Sequence, residues 1–315
     1  MKPIFMWAGG KSKMLKNYQQ YLPNTFKRYV EPFFGGGAMF IWAYAKQPNA
    51  EFVINDVNED IMNIYRSIKH SPSDFCKKVD ELSHEYLPLP NKEVNKGWEK
   101  KMKKDWAEMY NLHPNRRYFF FKLRNEYAFF WENKLASKWS RVEEAAVLYF
   151  LMKTAFNGIW QINLNTNGRF GTPSGLLNQK TKVYDKENIM AWHEALQNCK
   201  ILSVDFRKTF SYVKKNTYVF LDPPYRGSFT QYGTDFDDEL QKSTIKYLDD
   251  SVSKGAYALL SNRDTGDNFF EERRGDHDLA HFDVKYTAGA KKKVDENTFG
   301  AKKAKEILMI GGNKP

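Results

Sequence analysis

The sequence predicts an α/β fold whose sheet is interrupted by a long helical insert, and three observations predict it. Short apolar runs rich in β-formers recur at Arg28 to Pro32, Glu51 to Ile54, Lys200 to Val204, Thr217 to Leu221, Ala256 to Ser261 and Glu306 to Ile310. The first of these passes through a glycine turn, Phe33 to Gly37, into the apolar stretch Ala38 to Ala45, the strand, loop, helix order of nucleotide-binding α/β units. From Glu59 to about Tyr149 strand patterns give way to helical periodicity with Lys, Trp, Tyr and Phe. The expected organisation is a catalytic α/β domain in two pieces, 1–58 and 176–315, around an insert over 59–175.

A chain of 315 residues with 42% hydrophobic content can bury a real core, which excludes a disordered or low-complexity protein. The net charge of +11 favours a polyanionic partner such as nucleic acid. Cys76 and Cys199 are too few for a disulfide framework or a zinc site and point to a reducing, intracellular setting. The apolar runs Ala38 to Ala45 and Ala145 to Met152 are too short to span a bilayer, so no membrane role is expected. His277 and His281 hint at a metal pair, but no third ligand accompanies them, and a solvated surface with no metal is the expectation.

In chain order, Trp7 to Ser12 (WAGGKS) invites a phosphate-loop reading, which fails because Phe5 stands where that loop needs its first glycine. A glycine turn carrying Lys11 beside Trp7 can instead flank a ligand by charge and stacking. The Gly35-Gly36-Gly37 turn lets backbone N–H groups approach a ligand. Asp56, about twenty residues further on, stands where an acid commonly accepts ribose hydroxyls. In the insert, Lys92 to Lys104 is a dense basic run expected on a solvated face, and the aromatics of Tyr118 to Trp131 are expected in helix core. The helix Val142 to Thr154 leads into Phe156-Asn157-Gly158 and the polar stretch Gln161 to Gly175, whose residue types reach base edges and phosphates. The α/β pattern resumes with a helix over Ile189 to Gln197 and a strand that ends at Asp205-Phe206.

Thr217 to Leu221 (TYVFL) then runs into Asp222-Pro223-Pro224-Tyr225, where the prolines forbid further ladder hydrogen bonds. A carboxylate at the C-terminal end of a parallel strand faces the crevice in which open α/β sheets bind ligands. Beside it, fixed backbone carbonyls and a flat tyrosine suit an exocyclic amine on a nucleobase. The strand Ala256 to Ser261 is expected to end in Asn262-Arg263-Asp264, so three strands end in an acid or an acid-containing turn at what should be one edge of the sheet.

These segments together resemble the Dam-type (class D12) DNA adenine N6-methyltransferases. The likeness is carried by WAGGK at Trp7 to Lys11, VEPFFGGG at Val30 to Gly37, IND at Ile54 to Asp56, FNG at Phe156 to Gly158, DPPY at Asp222 to Tyr225, SNRDT at Ser261 to Thr265 and KAKEILMI at Lys303 to Ile310. It implies a mixed Rossmann-like sheet with a helical target-recognition insert, S-adenosyl-L-methionine as cofactor and double-stranded DNA as substrate, with a restriction endonuclease as a biological counterpart. It places Trp7, Lys11, Glu31, Phe34, Gly35, Gly36 and Gly37 along the cofactor, Asp56 on its ribose, and Asp205 and Phe206 at its adenine. Asp222 and the Pro223 carbonyl would hold the target amine, with Pro224 completing the turn and Tyr225 stacking on the base. Lys153, Phe156, Asn157, Ile159, Gln161, Asn163 and Arg169 would meet DNA.

The chemistry agrees with this placement. An adenine amine is a poor nucleophile and the sulfonium methyl an activated donor, so the protein must orient the nitrogen lone pair with two acceptors and keep donor and acceptor in line. The base must also leave the duplex, and an aromatic ring offsets part of that unstacking. Gln161 stands where the family often has arginine, Lys153 matches an upstream arginine and Gly171 lies near a usual asparagine, so a target other than GATC, or a looser one, is expected. Two alternatives share part of this pattern: an RNA or protein-amide methyltransferase, and an inactive DNA-binding relative.

Overall fold

The computed structural model describes residues 1–7, 9–91, 105–129, 139–158, 160–166, 168–175, 182–227, 236–286, 292–295, 298–300 and 302–315. They form two compact units, one of residues 1–7 and 58–197, the other of 8–57, 198–230 and 234–315.

The second unit carries the sheet. It opens with α1 (Leu15–Tyr18), β1 (Arg28–Glu31), α2 (Ala38–Lys46) and β2 (Glu51–Asn55). The chain then builds the helical unit from α3 (Glu59–His70), α4 (Pro72–Tyr86), α5 (Trp106–Leu112), α6 (Arg116–Phe129), α7 (Arg141–Thr154) and α8 (Lys186–Ala195). It returns to the sheet with β3 (Cys199–Leu202), β4 (Thr217–Leu221), α9 (Asp238–Ser253), β5 (Tyr257–Asp264), β6 (Asp278–Tyr286) and, after β7 (Lys292–Asp295) and β8 (Thr298–Gly300), which pair with each other in a separate two-stranded sheet, β9 (Lys302–Gly311).

The sheet order is β3-β2-β1-β4-β5-β9-β6, parallel from β3 to β5 and antiparallel at β9 and β6. This is the mixed Rossmann-like sheet that the resemblance implies. Every residue of β4 is buried, which is why its sequence reads as an unbroken apolar run rather than an alternating one. Because β1 to β4 are parallel neighbours in register, with Val30 opposite both Val53 and Val219, their C-terminal ends share one edge.

Two sequence expectations for the sheet change. β5 continues through Asn262, Arg263 and Asp264, beyond the strand end at Ser261 that the sequence suggests, because β9 pairs with it as far as Lys305. β6 was not anticipated: its run DLAHFDVKY is half polar, and β9 supplies its hydrogen bonds along the full length.

In the helical unit, the apolar run Ala145 to Met152 is buried throughout, and α7 packs on α3, α4 and α6. Its start is fixed by a capping box between Ser140 and Glu143. The aromatics Tyr118, Phe119, Phe120, Phe121 and Tyr127 are buried in α6, where helix core was expected. Residues 182–197 belong to this unit rather than to the sheet, because α8 packs on α3 and α4 and the Trp192 ring lies 5.3 Å from Tyr65. The Trp192 indole also donates to the Lys2 carbonyl at 2.7 Å, tying residues 1–7 to the same unit. The basic run 92–104 and Trp131 lie outside the described residues. Among the described residues no helix is long and apolar enough to cross a membrane.

Candidate functional site

At the C-terminal edge of the sheet, β4 stops at Leu221 and the Asp222 carboxylate, 18% exposed, forms an ion pair with Lys11, Nζ to Oδ1 2.7 Å. Lys11 itself is only 3% exposed. Its ammonium also donates to Tyr225 Oη and, at 3.0 Å, to the Gly9 carbonyl, and it sits 4.6 Å from the centre of the Tyr225 ring. Desolvation pushes the Asp222 pKa up to about 6 despite the opposing pull of Lys11. For Lys11, burial works to lower the pKa, but Asp222, followed by Tyr18 and Glu306, overrides it and leaves the ammonium more firmly protonated than usual. The carboxyl of Glu31 is pushed well up by burial, only partly offset by the hydrogen bond from Tyr29 Oη at 2.8 Å. The sequence associated Lys11 with the cofactor; its contact with Asp222 had no signal in the sequence, since the two are brought together only by the fold.

Asn55, buried at the end of β2, ties three strand ends together. Its Nδ2 donates to the carbonyls of Pro32 at 2.9 Å and Val204 at 3.0 Å, and its Oδ1 accepts from the Val204 N–H at 2.9 Å. Asp56 beside it accepts from the Gly35 N–H at 2.9 Å. Gly35 and Gly37 adopt φ of 49° and 68°, the left-handed region that glycine enters without strain. Asn55 was read only as part of the motif; a buried asparagine within an apolar strand was the signal for a structural knot.

Phe34 is buried with its ring 5.7 Å from Phe40, so it presents backbone rather than side chain at the turn. Asp205 is gripped by Arg207, whose Nε and Nη2 donate at 2.8 and 2.6 Å, and this pairing holds its carboxyl below the usual range. Phe206 is buried against Phe33 at 4.9 Å and Phe236 at 6.1 Å. Thus Lys11, Glu31, the Phe34 to Gly37 turn including Gly36, Asp56, Asp205, Phe206 and the tetrad from Asp222 through Pro223 and Pro224 to Tyr225 all lie in the sheet unit. Trp7 belongs to the helical unit, its ring 6.1 Å from Phe5, so the WAGGK element is divided between units.

In the helical unit, the polar stretch after α7 is an ordered hairpin rather than an open loop. Isolated bridges join Ala155 to Ser174 and Ile162 to Phe170, and the Gly171 N–H donates to the Gln161 carbonyl at 2.7 Å. The tip is an Asx turn in which Asn163 Oδ1 accepts from the Asn165 N–H at 2.9 Å. Phe156 is an exposed aromatic, followed by Asn157 at φ 54°, a left-handed conformation that asparagine adopts more readily than other residues with a Cβ. Phe156 and Asn157 line a pocket with Met6, Met152 and Lys153, and burial lowers the Lys153 pKa. Gln161 is half-buried and Asn163 exposed; Ile159 lies outside the described residues.

Arg169 departs from the expectation of a DNA contact. Its Nη2 bonds Glu144 at 2.8 Å and Asp60 at 3.1 Å, its Nη1 donates to the Tyr127 carbonyl at 2.8 Å, and its guanidinium lies 4.0 Å from the Tyr127 ring centre. These bonds direct the charge into the unit, where it anchors the hairpin to α3, α6 and α7. Sequence composition cannot tell such an arginine from a phosphate ligand. Arg169→Met is expected to destabilise the protein by about 1.5–3 kcal/mol, because it removes one of the two arginines on the buried Glu144 and leaves Arg141, 2.8 Å from its other oxygen, as the remaining cation; urea unfolding measures this, and a loss under about 0.5 kcal/mol would mean that the Arg169 ion pairs are dispensable.

Neither do His277 and His281 converge. His277 Nε2 lies 2.7 Å from Asp249, while His281 has Asp264 at 3.5 Å from Nδ1 and Glu271 at 3.6 Å from Nε2.

With this geometry in place, comparisons with known proteins bear on the same segments. The model of the D12 class N6 adenine-specific DNA methyltransferases matches residues 7–287. The chain is 30% identical to the Type II methyltransferase M.MjaIII of Methanocaldococcus jannaschii over 83% of this chain and 84% of that protein. It is 28% identical to the Type II methyltransferase M1.LlaDCHI of Lactococcus lactis subsp. cremoris over 92% of this chain and 90% of that protein. It is 24% identical to the DNA adenine methylase of Serratia marcescens over 98% of each. A Rossmann-like sheet whose strand-end carboxylate leads into Pro-Pro-Tyr, matched over nearly its whole length by that model, makes the chain a member of the D12 class N6 adenine-specific DNA methyltransferase family.

Proposed function

We propose that the protein methylates the N6 amine of an adenine swung out of double-stranded DNA, using S-adenosyl-L-methionine, with the sheet unit carrying the chemistry and the helical unit reading the target. The observation that carries this reading is the constellation of the buried Lys11 with the half-buried Asp222 and Tyr225 at the end of β4. Asp222 and the Pro223 carbonyl accept the two N–H bonds of the amine and turn its lone pair outward, and Tyr225 stacks on the base. Lys11 keeps enough positive charge beside Asp222 for the carboxyl to ionise near neutral pH despite its burial.

The cofactor fits the donor set. The left-handed glycine turn presents backbone at Gly35 to Gly37, Asp56 offers a carboxylate for ribose hydroxyls, and Asp205 with Phe206 offers an acceptor and a ring for adenine. When bound, S-adenosyl-L-methionine supplies an electrophilic methyl group on a sulfonium. Glu31 completes the proposed lining within the sheet unit.

Phe156 and the left-handed Asn157 are proposed to meet the duplex where the adenine leaves, with Lys153, Gln161 and Asn163 reading neighbouring bases; the target differs from GATC or is looser. The Type II methyltransferase relatives support a restriction endonuclease as the biological counterpart.

Incubation with tritiated S-adenosyl-L-methionine and duplex DNA, RNA or protein tests the reading. Label is expected at adenine N6 in duplex DNA; label confined to RNA or protein would reject it. Phe156→Ala is expected to leave stability within about 0.5 kcal/mol, since the ring is exposed. The same change should lower the rate on fully paired duplex more than on a substrate mispaired at the target adenine, where unstacking is easier. Equal losses on both substrates would remove Phe156 from base extrusion.

A further inference from the structure

Tyr225 is bracketed at both flanking peptide groups by two side-chain amides that also hold each other. The Pro224 carbonyl accepts from Gln241 Nε2 at 2.8 Å, the Arg226 N–H donates to Asn262 Oδ1 at 3.1 Å, and Asn262 Nδ2 donates to Gln241 Oε1 at 2.9 Å. Gln241 on α9 and Asn262 on β5 are both fully buried. The two ends fix the direction of the relay: a carbonyl can only accept and an N–H can only donate, so neither amide can flip without losing a bond.

Asparagine is a poor strand former, yet Asn262 directly follows the buried run Ala258 to Ser261 in the same strand. A buried amide pair in such a place is offset only by the hydrogen bonds it makes. Here it holds the two peptide groups on either side of the stacking tyrosine. Beyond them the Arg226 guanidinium bonds Asp238 at 2.6 and 2.9 Å and lies 4.2 Å from the Phe269 ring centre, closing the turn from the far side.

We propose that Gln241 and Asn262 are positioning residues for methyl transfer: together they fix the backbone on both sides of Tyr225, so that the ring and the Pro223 carbonyl hold the orientation that transfer requires. The proposal rests on the reading of Asp222 to Tyr225 as the target-amine site. The prolines restrict φ before Tyr225, and the amide pair adds a hydrogen bond to the Pro224 carbonyl before it and one from the Arg226 N–H after it.

Gln241→Met keeps the side-chain length and its packing but can neither donate to Pro224 nor accept from Asn262. It is expected to lower kcat about 10²-fold, as a small misplacement of reacting groups does. KM for S-adenosyl-L-methionine and DNA should stay within about threefold. Amide exchange should quicken at Tyr225, Arg226 and Gly227 while β4 keeps wild-type protection. Because the amides act as one unit, adding Asn262→Leu should cost no more than about a further threefold.

A folded Gln241→Met enzyme with kcat within about threefold of wild type overturns the proposal. So does loss of exchange protection throughout the sheet, which would mark a merely structural role. Should this variant fail to fold, Gln241→Glu, which keeps length and an acceptor for Asn262 but loses the donor when ionised, is judged on the same measurements. Asp222→Ala in the same assay separates the two ideas. Normal turnover there sinks the site reading, whereas an inactive Asp222→Ala beside a normal Gln241→Met sinks only the bracket.

Discussion

Alanine at position 222 is expected to cut methyl transfer by about 10³-fold while leaving S-adenosyl-L-methionine affinity within about tenfold. The amine nitrogen can attack only when its lone pair is turned out of conjugation with the purine ring. Two acceptors on its N–H bonds impose that geometry, and Asp222 is the charged one. Removing one charge-complementary partner from a water-poor site typically costs about 10²–10³ in rate, and loss of the in-line orientation adds to it. The cofactor groups proposed at Gly35 to Gly37, Asp56 and Asp205 are carried by other strand ends, so binding of the donor should change little. Single-turnover transfer and equilibrium cofactor binding separate the two effects. Turnover near the wild-type value would remove Asp222 from the reaction. Asp222→Asn, which retains an acceptor oxygen without the charge, should fall between the two.

The second large effect concerns Lys11. The Asp222 carboxyl, pushed up to about 6 by burial and held from rising further by Lys11, must be ionised to act as the charged, stronger acceptor. In the wild-type enzyme kcat/KM should therefore rise with pH through about 6. Lys11→Met removes the group that lowers this pKa, so the midpoint should move to higher pH and activity near neutrality should drop, with recovery in alkali. A midpoint unmoved by the substitution would mean that another group governs the profile.

Stability follows with signs that can be worked out. The folded-state pKa of Asp222 lies above its ordinary value of 3.8, so between about 4 and 6 the folded protein holds a proton that the unfolded chain has released. This group's contribution to stability falls as pH rises through that window. Lys11 acts in the opposite sense: its raised folded pKa contributes stability that is complete below 10.5 and is lost only as pH climbs through the raised value. Breaking the pair by Lys11→Met should cost about 3–5 kcal/mol where Asp222 is ionised and less in acid, where a proton replaces the lost cation. Chemical denaturation at two pH values measures the difference.

The sequence by itself determined the sheet strands that are continuously apolar, above all Thr217 to Leu221, because burial on both faces leaves no polar position to blur the pattern. It also determined where those strands stop, since Pro223 and Pro224 cannot extend a ladder and Gly35 and Gly37 mark a turn in the left-handed region. These are local constraints, written into neighbouring residues. The tertiary structure alone decided which distant polar groups meet. It set Lys11 against Asp222, Asn55 between the ends of three strands, and Gln241 and Asn262 on either side of Tyr225. It turned Arg169 inward onto Glu144 and gave the half-polar β6 a place on the sheet through β9. Hydrogen bonds and ion pairs between residues far apart in the chain leave no periodicity in it; they exist only once packing has brought their partners within about 3 Å and removed the water that would otherwise satisfy them.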